Sequence, residues 1–408
     1  MPSTPPPSAT RRRRPALTAL LAAALPLALT SCADNAPNED PKSTSEQAAA
    51  TTADAPDAPA SSGDAPTPDA EQELPPISED GYRGEYRAGT RNIPEKPENA
   101  VRLAAYNILN LFDDDDDPNL SGDVDDMFSR RDSIRAKPED QRAAAAQAIR
   151  EINPDIIAFQ EVESLQALTE FRDQFLEGMG YDYIASEDVG YGRGVEQSVL
   201  SRFPITNTTI WPGKLLEGFH PDDPSRMSPW DRDSAGQQIR FRRSPLFVEI
   251  AIPAADGEGD YQLGLMNIHH KSGRDNDYWR LAEAKTITSL INDIQDANPN
   301  LNIAALGDFN DVPNEEHVML YETAAGMTDA ARQMNTMRGS ETFTHASRRT
   351  IDAIKLSRTM LPELVEDSYF VYATPLRPSD LDWRTTPTPT GYASDHMPVV
   401  IDFMPIDR

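Results

Sequence analysis

Asp308 and Asn310 are the residues whose types and spacing first suggest chemistry in this chain. They stand in the stretch Leu306-Gly-Asp-Phe-Asn-Asp-Val-Pro313, which closes an apolar, strand-like run. Residues two apart in extended backbone point to the same side, so the carboxylate and the amide would face one space. Such a pair suits holding a water or hydroxyl beside a phosphate. The alternative is a plain turn, because Gly-Asp-x-Asn is also common turn chemistry.

Further polar residues follow strand-like runs in the same manner. Asn107 and Glu161 each end such a run, and another ends in the His-His-Lys-Ser stretch that begins at His269. Asp352 follows later, and Ser-Asp-His at 394–396 stands near the C-terminus. Hydrolysis of a phosphate ester needs an activated water, charge neutralisation on the phosphoryl oxygens and help for the leaving group. Carboxylates, amides and imidazoles can supply these functions, since hard cations prefer oxygen ligands and imidazole titrates near neutral pH.

The elements that must position these side chains are strands and helices in a mixed order. Helices are predicted over Glu139–Ile152, Ser164–Glu177 and Tyr278–Ala297, from Ala-rich content or apolar residues at helical spacing. Strands are predicted between them, and several strands follow one another without a helix. That mixture favours two packed sheets flanked by helices over one doubly wound sheet.

In their order along the chain, these motifs resemble the endonuclease/exonuclease/phosphatase family, the superfamily of deoxyribonuclease I. The shared order is Asn, Glu, His-x-Lys-Ser, Gly-Asp-x-Asn, Ile-Asp and Ser-Asp-His, from about Val101 to the C-terminus. The resemblance implies an α/β fold, a four-layer α/β/β/α sandwich of two packed mixed sheets, with the site on one rim.

The resemblance also implies which residues hold metal and substrate. Glu161, Asn107 and Asp395 would lie at a divalent metal ion, Mg²⁺ by preference, with Mn²⁺ or Ca²⁺ as alternatives. Asn107 and Asn310 would orient phosphate oxygens. Arg193, in a Gly-rich loop, could reach a substrate phosphate, with a plain turn as the other interpretation.

The resemblance makes Asn310 a catalytic residue as well and assigns the catalytic steps to four further side chains. Asp308 would align or deprotonate the attacking water, and His396 would contact the scissile phosphate as base or charge stabiliser. Asp352 would hold the ring of His396 in one tautomer. His269 would donate to a phosphate oxygen or to the leaving group, although the adjacent His270 leaves the choice between these two histidines open.

Overall charge limits the partners. The 408 residues carry a formal net charge of -29, and no Lys/Arg stripe is interleaved with aromatic residues. A field of this sign repels a nucleic-acid backbone unless cations intervene. The composition therefore disfavours a tight, obligate DNA binder and is compatible with a divalent-metal hydrolase.

The N-terminal part reads as a targeting segment followed by a tether. Residues 1–31 combine four Arg with an apolar stretch, and Leu-Thr-Ser before Cys32 resembles the lipobox of bacterial lipoproteins. Cys32, the only cysteine, would carry the lipid; an ordinary secretory signal is the alternative. Residues 32–98 are predicted to be a disordered acidic tether rich in Pro, Ala, Ser and Thr, and residues 99–408 the globular domain.

Two polar segments are predicted to be loops, and three histidines are predicted to lie outside the site. Asp117–Asp125 faintly resembles a calcium loop, and a solvated loop is the preferred interpretation. Trp211–Arg243 is predicted to be a long polar insertion that selects substrate. The remaining histidines are predicted to be surface residues: His220, His317 and His345.

Together these features favour a secreted, divalent-metal-dependent phosphoesterase, by first hypothesis a nuclease acting on extracellular nucleic acid. It would be monomeric and anchored in the cell envelope through Cys32. The alternatives are a phosphomonoesterase, a phospholipid- or sphingomyelin-type phosphodiesterase, and a non-catalytic binding lipoprotein on the same fold.

Overall fold

A computed structural model describes residues 82–83, 86–87, 89–113, 136–190, 195–229, 231–257, 259–333, 342–377 and 387–406. Several sequence predictions fall outside these residues. They concern Cys32 and the signal segment, most of the tether, the loop Asp117–Asp125 and Arg193.

Sixteen strands and four α-helices are described. The strands are β1 (Tyr82–Arg83), β2 (Tyr86–Arg87), β3 (Val101–Leu111), β4 (Ile156–Val162), β5 (Tyr183–Ser186), β6 (Glu196–Ser201), β7 (Ile205–Ile210), β8 (Leu215–Phe219), β9 (Gln238–Arg240), β10 (Leu246–Pro253), β11 (Asp260–His269), β12 (Asn302–Asp308), β13 (Thr328–Asp329), β14 (Asp352–Leu356), β15 (Phe370–Val371) and β16 (Val399–Phe403). The helices are α1 (Glu139–Ile152), α2 (Leu165–Phe175), α3 (Asp277–Ala297) and α4 (Glu316–Thr323).

Two six-stranded sheets form the framework. One has the strand order β13-β14-β12-β11-β10-β7, and the other has the order β15-β16-β3-β4-β6-β5. Both are mixed, since β11 pairs with β12 and β3 with β4 in parallel, whereas their other neighbours run antiparallel. β1 pairs with β2 and β8 with β9 in two separate two-stranded sheets.

The alternation of side chains along each strand builds the layers. Leu103 on β3 and Leu306 on β12 belong to the core between the sheets, whereas Tyr106 packs with α1 and α2 and Ile303 packs with α3 and α4. Successive residues of a strand point to opposite faces, so each central strand feeds two cores. Because helices cover the outer face of each sheet, the fold is the four-layer α/β/β/α sandwich that the sequence predicts.

Helix ends follow local signals. α1 begins and ends at the residues predicted from sequence, and Asn153 ends it in left-handed backbone (φ 53°) before Pro154. α2 begins after Ser164, whose side chain accepts a hydrogen bond of 3.0 Å from the Ala167 amide. Among the described residues, none of the helices combines the length and the apolar character needed to cross a membrane.

The segment Trp211–Arg243 is more structured than its polar sequence predicts. It contains the β8–β9 ribbon and two short 3₁₀ turns, and β8 packs against α3, where an added Cβ on Gly218 would lie 2.7 Å from the Ala282 side chain. Leu216 and Ile239 contribute to the core under α3. The segment is therefore a folded part of the domain rather than an irregular loop.

The end of the predicted tether lies along the domain. Thr90 exchanges hydrogen bonds with the strand region near β15: its amide donates to the Val371 carbonyl at 2.7 Å, and its carbonyl accepts from the Ala373 amide at 3.0 Å. Ile93 packs at the border of the core beneath α1 and α2.

Candidate active site

Strand register brings three of the predicted residues abreast. His269 at the end of β11 pairs with Asp308 at the end of parallel β12, and Asp308 pairs with Asp352 at the start of antiparallel β14. All three side chains are buried. The rim of this sheet therefore carries one imidazole and two carboxylates on three adjacent strands.

A glycine makes this rim possible. Gly307 has φ 130°, and a Cβ at this position would lie 2.1 Å from the carbonyl oxygen of Ile268. The two strands therefore approach more closely than any side chain would permit. Asn310, two residues beyond the strand end, also has left-handed backbone (φ 54°), which Asn tolerates better than most residues.

The Asp308 carboxylate lies at the centre of the site. Its Oδ1 accepts from the Asn310 amide at 2.8 Å, and its Oδ2 accepts from the side-chain amides of Asn107 at 3.1 Å and Asn310 at 3.2 Å. The Nε2 atoms of His269 and His396 lie 3.5 and 3.7 Å from the same Oδ2. Asn107 belongs to the other sheet, so this carboxylate joins both sheets at the rim.

Asp352 orients the second imidazole. The Nδ1 of His396 lies 3.0 Å from Oδ2 of Asp352, and Thr344 donates its hydroxyl to that oxygen at 2.6 Å. With Nδ1 held in this way, Nε2 of His396 is the nitrogen that faces Asp308. The carboxylate thereby selects both the tautomer and the direction of the ring.

Burial and charge shift the pKa values of these groups. Burial, the largest influence, raises the pKa of Asp308 to about 6; the neighbouring His396 opposes the rise and Asp352 adds to it. Burial alone would lower the pKa of His396, but the carboxylates of Asp352, Asp308 and Asp395 raise it well above its ordinary value. The pair thus favours a protonated imidazole beside a carboxylate that ionises only near neutral pH.

His269, rather than His270, faces the site. His270 is buried on the helix side, where its Nδ1 lies 3.0 Å from Glu283 Oε2 and its Nε2 lies 2.9 Å from the Tyr321 hydroxyl. Nη1 of Arg243 instead contacts both ring nitrogens of His269, with Nδ1 at 2.8 Å. Arg243, which the sequence analysis did not select, also donates to the His270 carbonyl at 3.0 Å and so holds both backbone and ring of this motif.

His345, which the sequence analysis placed at the surface, is half-buried and lies beside two of the predicted site residues. Its ring contacts the ring of His396 edge-on with centroids 4.6 Å apart, and its Nε2 lies 3.3 Å from Asp395 Oδ2. A single antiparallel bridge between His345 and His396 sets this contact. Burial would raise the pKa of Asp395, but the hydrogen bond with His345 and the charge of His396 hold it below its usual range.

The prediction of surface positions was wrong for the other two histidines. His220 is buried against the ring of Trp279, and His317 is buried beside Asp311, its Nε2 3.8 Å from that carboxylate. His220 directly follows β8 and His317 lies in α4, and the local sequence of neither residue indicates burial.

Glu161 and Asp395 supply the oxygen ligands that a hard cation prefers. Glu161 lies in left-handed backbone (φ 65°), an unusual conformation for this residue type, and its Oε2 accepts from the Asn110 amide at 3.2 Å. Oδ1 of Asp395 is buried and has no hydrogen-bond partner among the described residues. The chemistry of these carboxylates therefore fits a divalent cation.

A buried lysine lies close to both carboxylates. Lys137 donates to the Leu109 carbonyl at 2.9 Å. Burial lowers its pKa to about 8, against the opposing influence of Asp395 and Glu161. Sequence offered no signal for this contact, because Lys137 precedes α1 and is far from every motif.

Two groups of side chains have ligand atoms close enough together to hold a metal ion. The first group is His345, Asp395 and His396, and the second is Asp308, Asp352 and His396. Within each group the ligand atoms lie within 4.8 Å of one another.

The structure thus brings together all the predicted catalytic, metal-binding and substrate-binding residues that it describes. These are Asn107, Glu161, His269, Asp308, Asn310, Asp352, Asp395 and His396. Their roles in binding and catalysis remain predictions.

Comparison with known proteins gives one family match and a set of distantly similar structures. The profile described as Endonuclease/Exonuclease/phosphatase family matches residues 104–402. No curated protein sequence is significantly similar to the chain. Among solved structures, the catalytic domain of human Nocturnin is 17% identical, with 76% of this chain and 96% of that chain covered and a TM-score of 0.47. TDP2 from Caenorhabditis elegans is 17% identical, with 75% and 97% covered and a TM-score of 0.45. The mannosyl-6-phosphatase Bt3783 of Bacteroides thetaiotaomicron is 15% identical, with 74% and 98% covered and a TM-score of 0.42.

Proposed function

We propose that this chain, which belongs to the endonuclease/exonuclease/phosphatase family, is a divalent-metal-dependent phosphodiesterase that cleaves nucleic acid. Members of the family are hydrolases that act on phosphate esters and depend on divalent metal ions. The substrate and the preference for Mg²⁺ are the new elements of the proposal.

One observation carries the proposal: the Asp308 carboxylate lies between two imidazoles, one of which is oriented by a second carboxylate. Oδ2 of Asp308 is 3.5 Å from Nε2 of His269 and 3.7 Å from Nε2 of His396, and Asp352 holds the opposite nitrogen of His396. A purely structural ion pair would not require two buried carboxylates and two imidazoles at one rim, because burying charged groups is costly.

The residues divide the chemistry of hydrolysis between them. Asp308, ionised above about pH 6, aligns a water and accepts its proton. Protonated His396 stabilises charge on the phosphoryl group, and His269 donates to a phosphate oxygen or to the leaving oxygen. Asn107 and Asn310 hold the Asp308 carboxylate and direct phosphate oxygens with their amides. Glu161 and Asp395 would hold the divalent cation, which supplies charge neutralisation when bound.

The net charge is compatible with transient cleavage of extracellular nucleic acid, and the proposed location would expose the domain to that substrate. With a net charge of -29, the chain relies on cations to bring a polyanion to its surface, which suits transient cleavage rather than lasting association. The proposed signal segment and lipid attachment at Cys32 would place the domain in the cell envelope, at the end of an acidic tether. The domain would act there as a monomer.

A substrate panel tests the proposal. Full-length protein is assayed on plasmid DNA, RNA, bis-p-nitrophenyl phosphate and p-nitrophenyl phosphate, with Mg²⁺, Mn²⁺, Ca²⁺ or EDTA, beside the His396→Ala variant. Cleavage of nucleic acid that EDTA abolishes and the variant lacks supports the proposal. Hydrolysis of the small esters without cleavage of nucleic acid would contradict the substrate and favour a phosphatase or lipid diesterase. Inactivity on all substrates would favour a binding protein on the same fold.

A further inference from the structure

The segment Trp211–Arg243 encloses a cavity that the proposed chemistry does not use. The cavity has a volume of about 470 Å³ and lies between this segment, the end of the loop at Val189–Gly190 and the start of α3. The lining side chains that matter here are His220, Gln238, Arg240, Arg242 and Trp279. Most of the lining is polar, so the cavity does not suit an apolar ligand.

Trp279, which lines the cavity, has two cations over its ring. The guanidinium of Arg242 lies 4.9 Å from the centre of the Trp279 ring, and the Lys271 ammonium lies 5.5 Å from it. Arg242 also pairs with the buried carboxylate of Asp231. The ring and the carboxylate fix the position of Arg242, which lowers the entropy that it would lose on binding an anion.

Arg240 lines the same cavity and is exposed. It donates one hydrogen bond, of 2.9 Å, to the Gly213 carbonyl. The indole Nε1 of Trp279 is buried and has no hydrogen-bond partner among the described residues. The cavity therefore offers the guanidinium donors of Arg240 and Arg242, and an anion with several acceptor oxygens would match them.

The cavity is connected to the His269 motif through Trp279, which lines the cavity and lies 5.5 Å from the Lys271 ammonium. Arg243, next in sequence to Arg242, contacts the His269 ring at 2.8 Å, and Lys271 follows the His269-His270 pair directly. Arg242 and Lys271 lie over the same Trp279 ring, so the cavity and the His269 motif have this side chain as a common neighbour.

Local charge is unusual for this protein. Trp211–Arg243 holds six Lys and Arg against five Asp and Glu, whereas the whole chain has 38 against 67. A segment of slightly positive charge beside the catalytic rim of an acidic protein is suited to bind anionic substrate.

We propose that Arg240 and Arg242 form a second anion site that binds a phosphate group of the substrate flanking the scissile one. This inference rests on the proposed function, because it assigns the second phosphate to a nucleic acid cleaved at Asp308 and His396. Guanidinium groups match phosphate oxygens with paired donors, which supports phosphate as the bound group.

Dinucleotides that differ by one phosphate test the site. Dithymidine monophosphate carries only the scissile phosphate, and its 5′- and 3′-phosphorylated forms add one phosphate on either side. We expect full-length wild-type protein to hydrolyse at least one phosphorylated form with a kcat/KM about tenfold higher, the scale of one charge-assisted hydrogen bond. In Arg240→Gln this ratio should fall to within about twofold of one.

Arg226→Gln is the matched control, because Arg226 is exposed on the same segment and does not line the cavity. It should keep the wild-type ratio. Equal kcat/KM for all three dinucleotides in the wild type, or an undiminished ratio in Arg240→Gln, would overturn the inference.

Failure of the proposed function would give a different result. If neither the dinucleotides nor bis-p-nitrophenyl phosphate are hydrolysed, the site is tested by equilibrium binding of thymidine 3′,5′-bisphosphate and thymidine 3′-monophosphate. Tighter binding of the bisphosphate that is lost in Arg240→Gln would retain the second anion site without the hydrolase. Equal binding of both nucleotides would reject the site as well.

Discussion

The carboxylate of Asp352 holds the imidazole of His396, with Oδ2 and Nδ1 3.0 Å apart and both side chains buried. The two residues are 44 positions apart in the chain. They meet at the rim because Asp352 is the first residue of β14 and His396 lies just before β16. This contact determines which nitrogen of His396 faces Asp308, so the predicted chemistry depends on it.

Replacing Asp352 by Asn should therefore impair turnover more than stability. Asn can still accept from Nδ1 but loses the charge that stabilises the imidazolium, and we expect kcat/KM to fall by at least about a hundredfold. Hydrolysis of bis-p-nitrophenyl phosphate and thermal unfolding are measured together. Asp296→Asn, at an exposed position of α3, is the control and should match the wild type. A folded Asp352→Asn protein with activity within threefold of wild type would contradict this role.

His345 should act as a positioning residue for Asp395 and His396. Its removal in His345→Ala frees Asp395 Oδ2, and we expect kcat/KM to fall about tenfold while the Mg²⁺ concentration needed for half-maximal activity rises. His345→Gln retains a donor for Asp395 and should recover part of the metal affinity. A metal titration of the three proteins provides the measurement. Equal metal requirements in all three would show that His345 has only a packing role.

The pH dependence of kcat/KM should reflect Asp308 on its acidic side. Because burial raises the pKa of this carboxyl to about 6, its ionised fraction falls as pH decreases through 6, and activity should fall with it. His396, whose pKa the carboxylates of Asp352 and Asp308 raise, should lose its proton at a higher pH than an ordinary imidazole, and activity should fall there. A profile at saturating metal should thus be bell-shaped, with apparent pKa values that belong to the coupled pair. Constant activity from pH 5 to 7 would refute the assignment to Asp308.

Gly307 should be irreplaceable for stability. In Gly307→Ala the new Cβ would meet the Ile268 carbonyl in backbone of φ 130°, and we expect a loss of more than about 3 kcal/mol in the free energy of unfolding. Gly257→Ala is the control, because Gly257 also has positive φ (78°) but no atom within 4 Å of the added Cβ. That substitution should cost about 1 kcal/mol. Denaturant unfolding compares the two variants, and equal losses would contradict the close-approach explanation.

Strand ends were predictable from sequence because the polar site residues interrupt clear apolar patterns. Glu161 and Asp308 follow segments that are buried on both faces, and such segments read as strands without knowledge of the fold. α1 was predicted to the residue, since Ala-rich content and Asn153-Pro154 mark its extent. These signals are local. Local signals predict structure best where propensity, hydrophobic pattern and tertiary packing all favour the same element.

The residues that were missed depend on tertiary contacts. His345 follows no strand-like run and enters the site through one bridge to His396, 51 residues away in the printed sequence. The hairpin of β8 and β9 has polar residues, Pro and an exposed Phe219, so its pattern resembles a loop until α3 covers Leu216 and Ile239. The sequence could not single out Arg243, because Arg240 and Arg242 are close to it in the chain. Its contact with His269 identifies it only in the folded structure.

The most direct test of the central claim combines Asp308→Ala, His396→Ala and the double variant in one assay of metal-dependent bis-p-nitrophenyl phosphate hydrolysis. If the two side chains act as a unit, each single variant should lose at least about a hundredfold in kcat/KM, and the double variant should be little worse than the poorer single variant. Circular dichroism and thermal unfolding confirm that all three proteins are folded. Folded single variants that hydrolyse the diester within threefold of the wild-type rate would contradict the account.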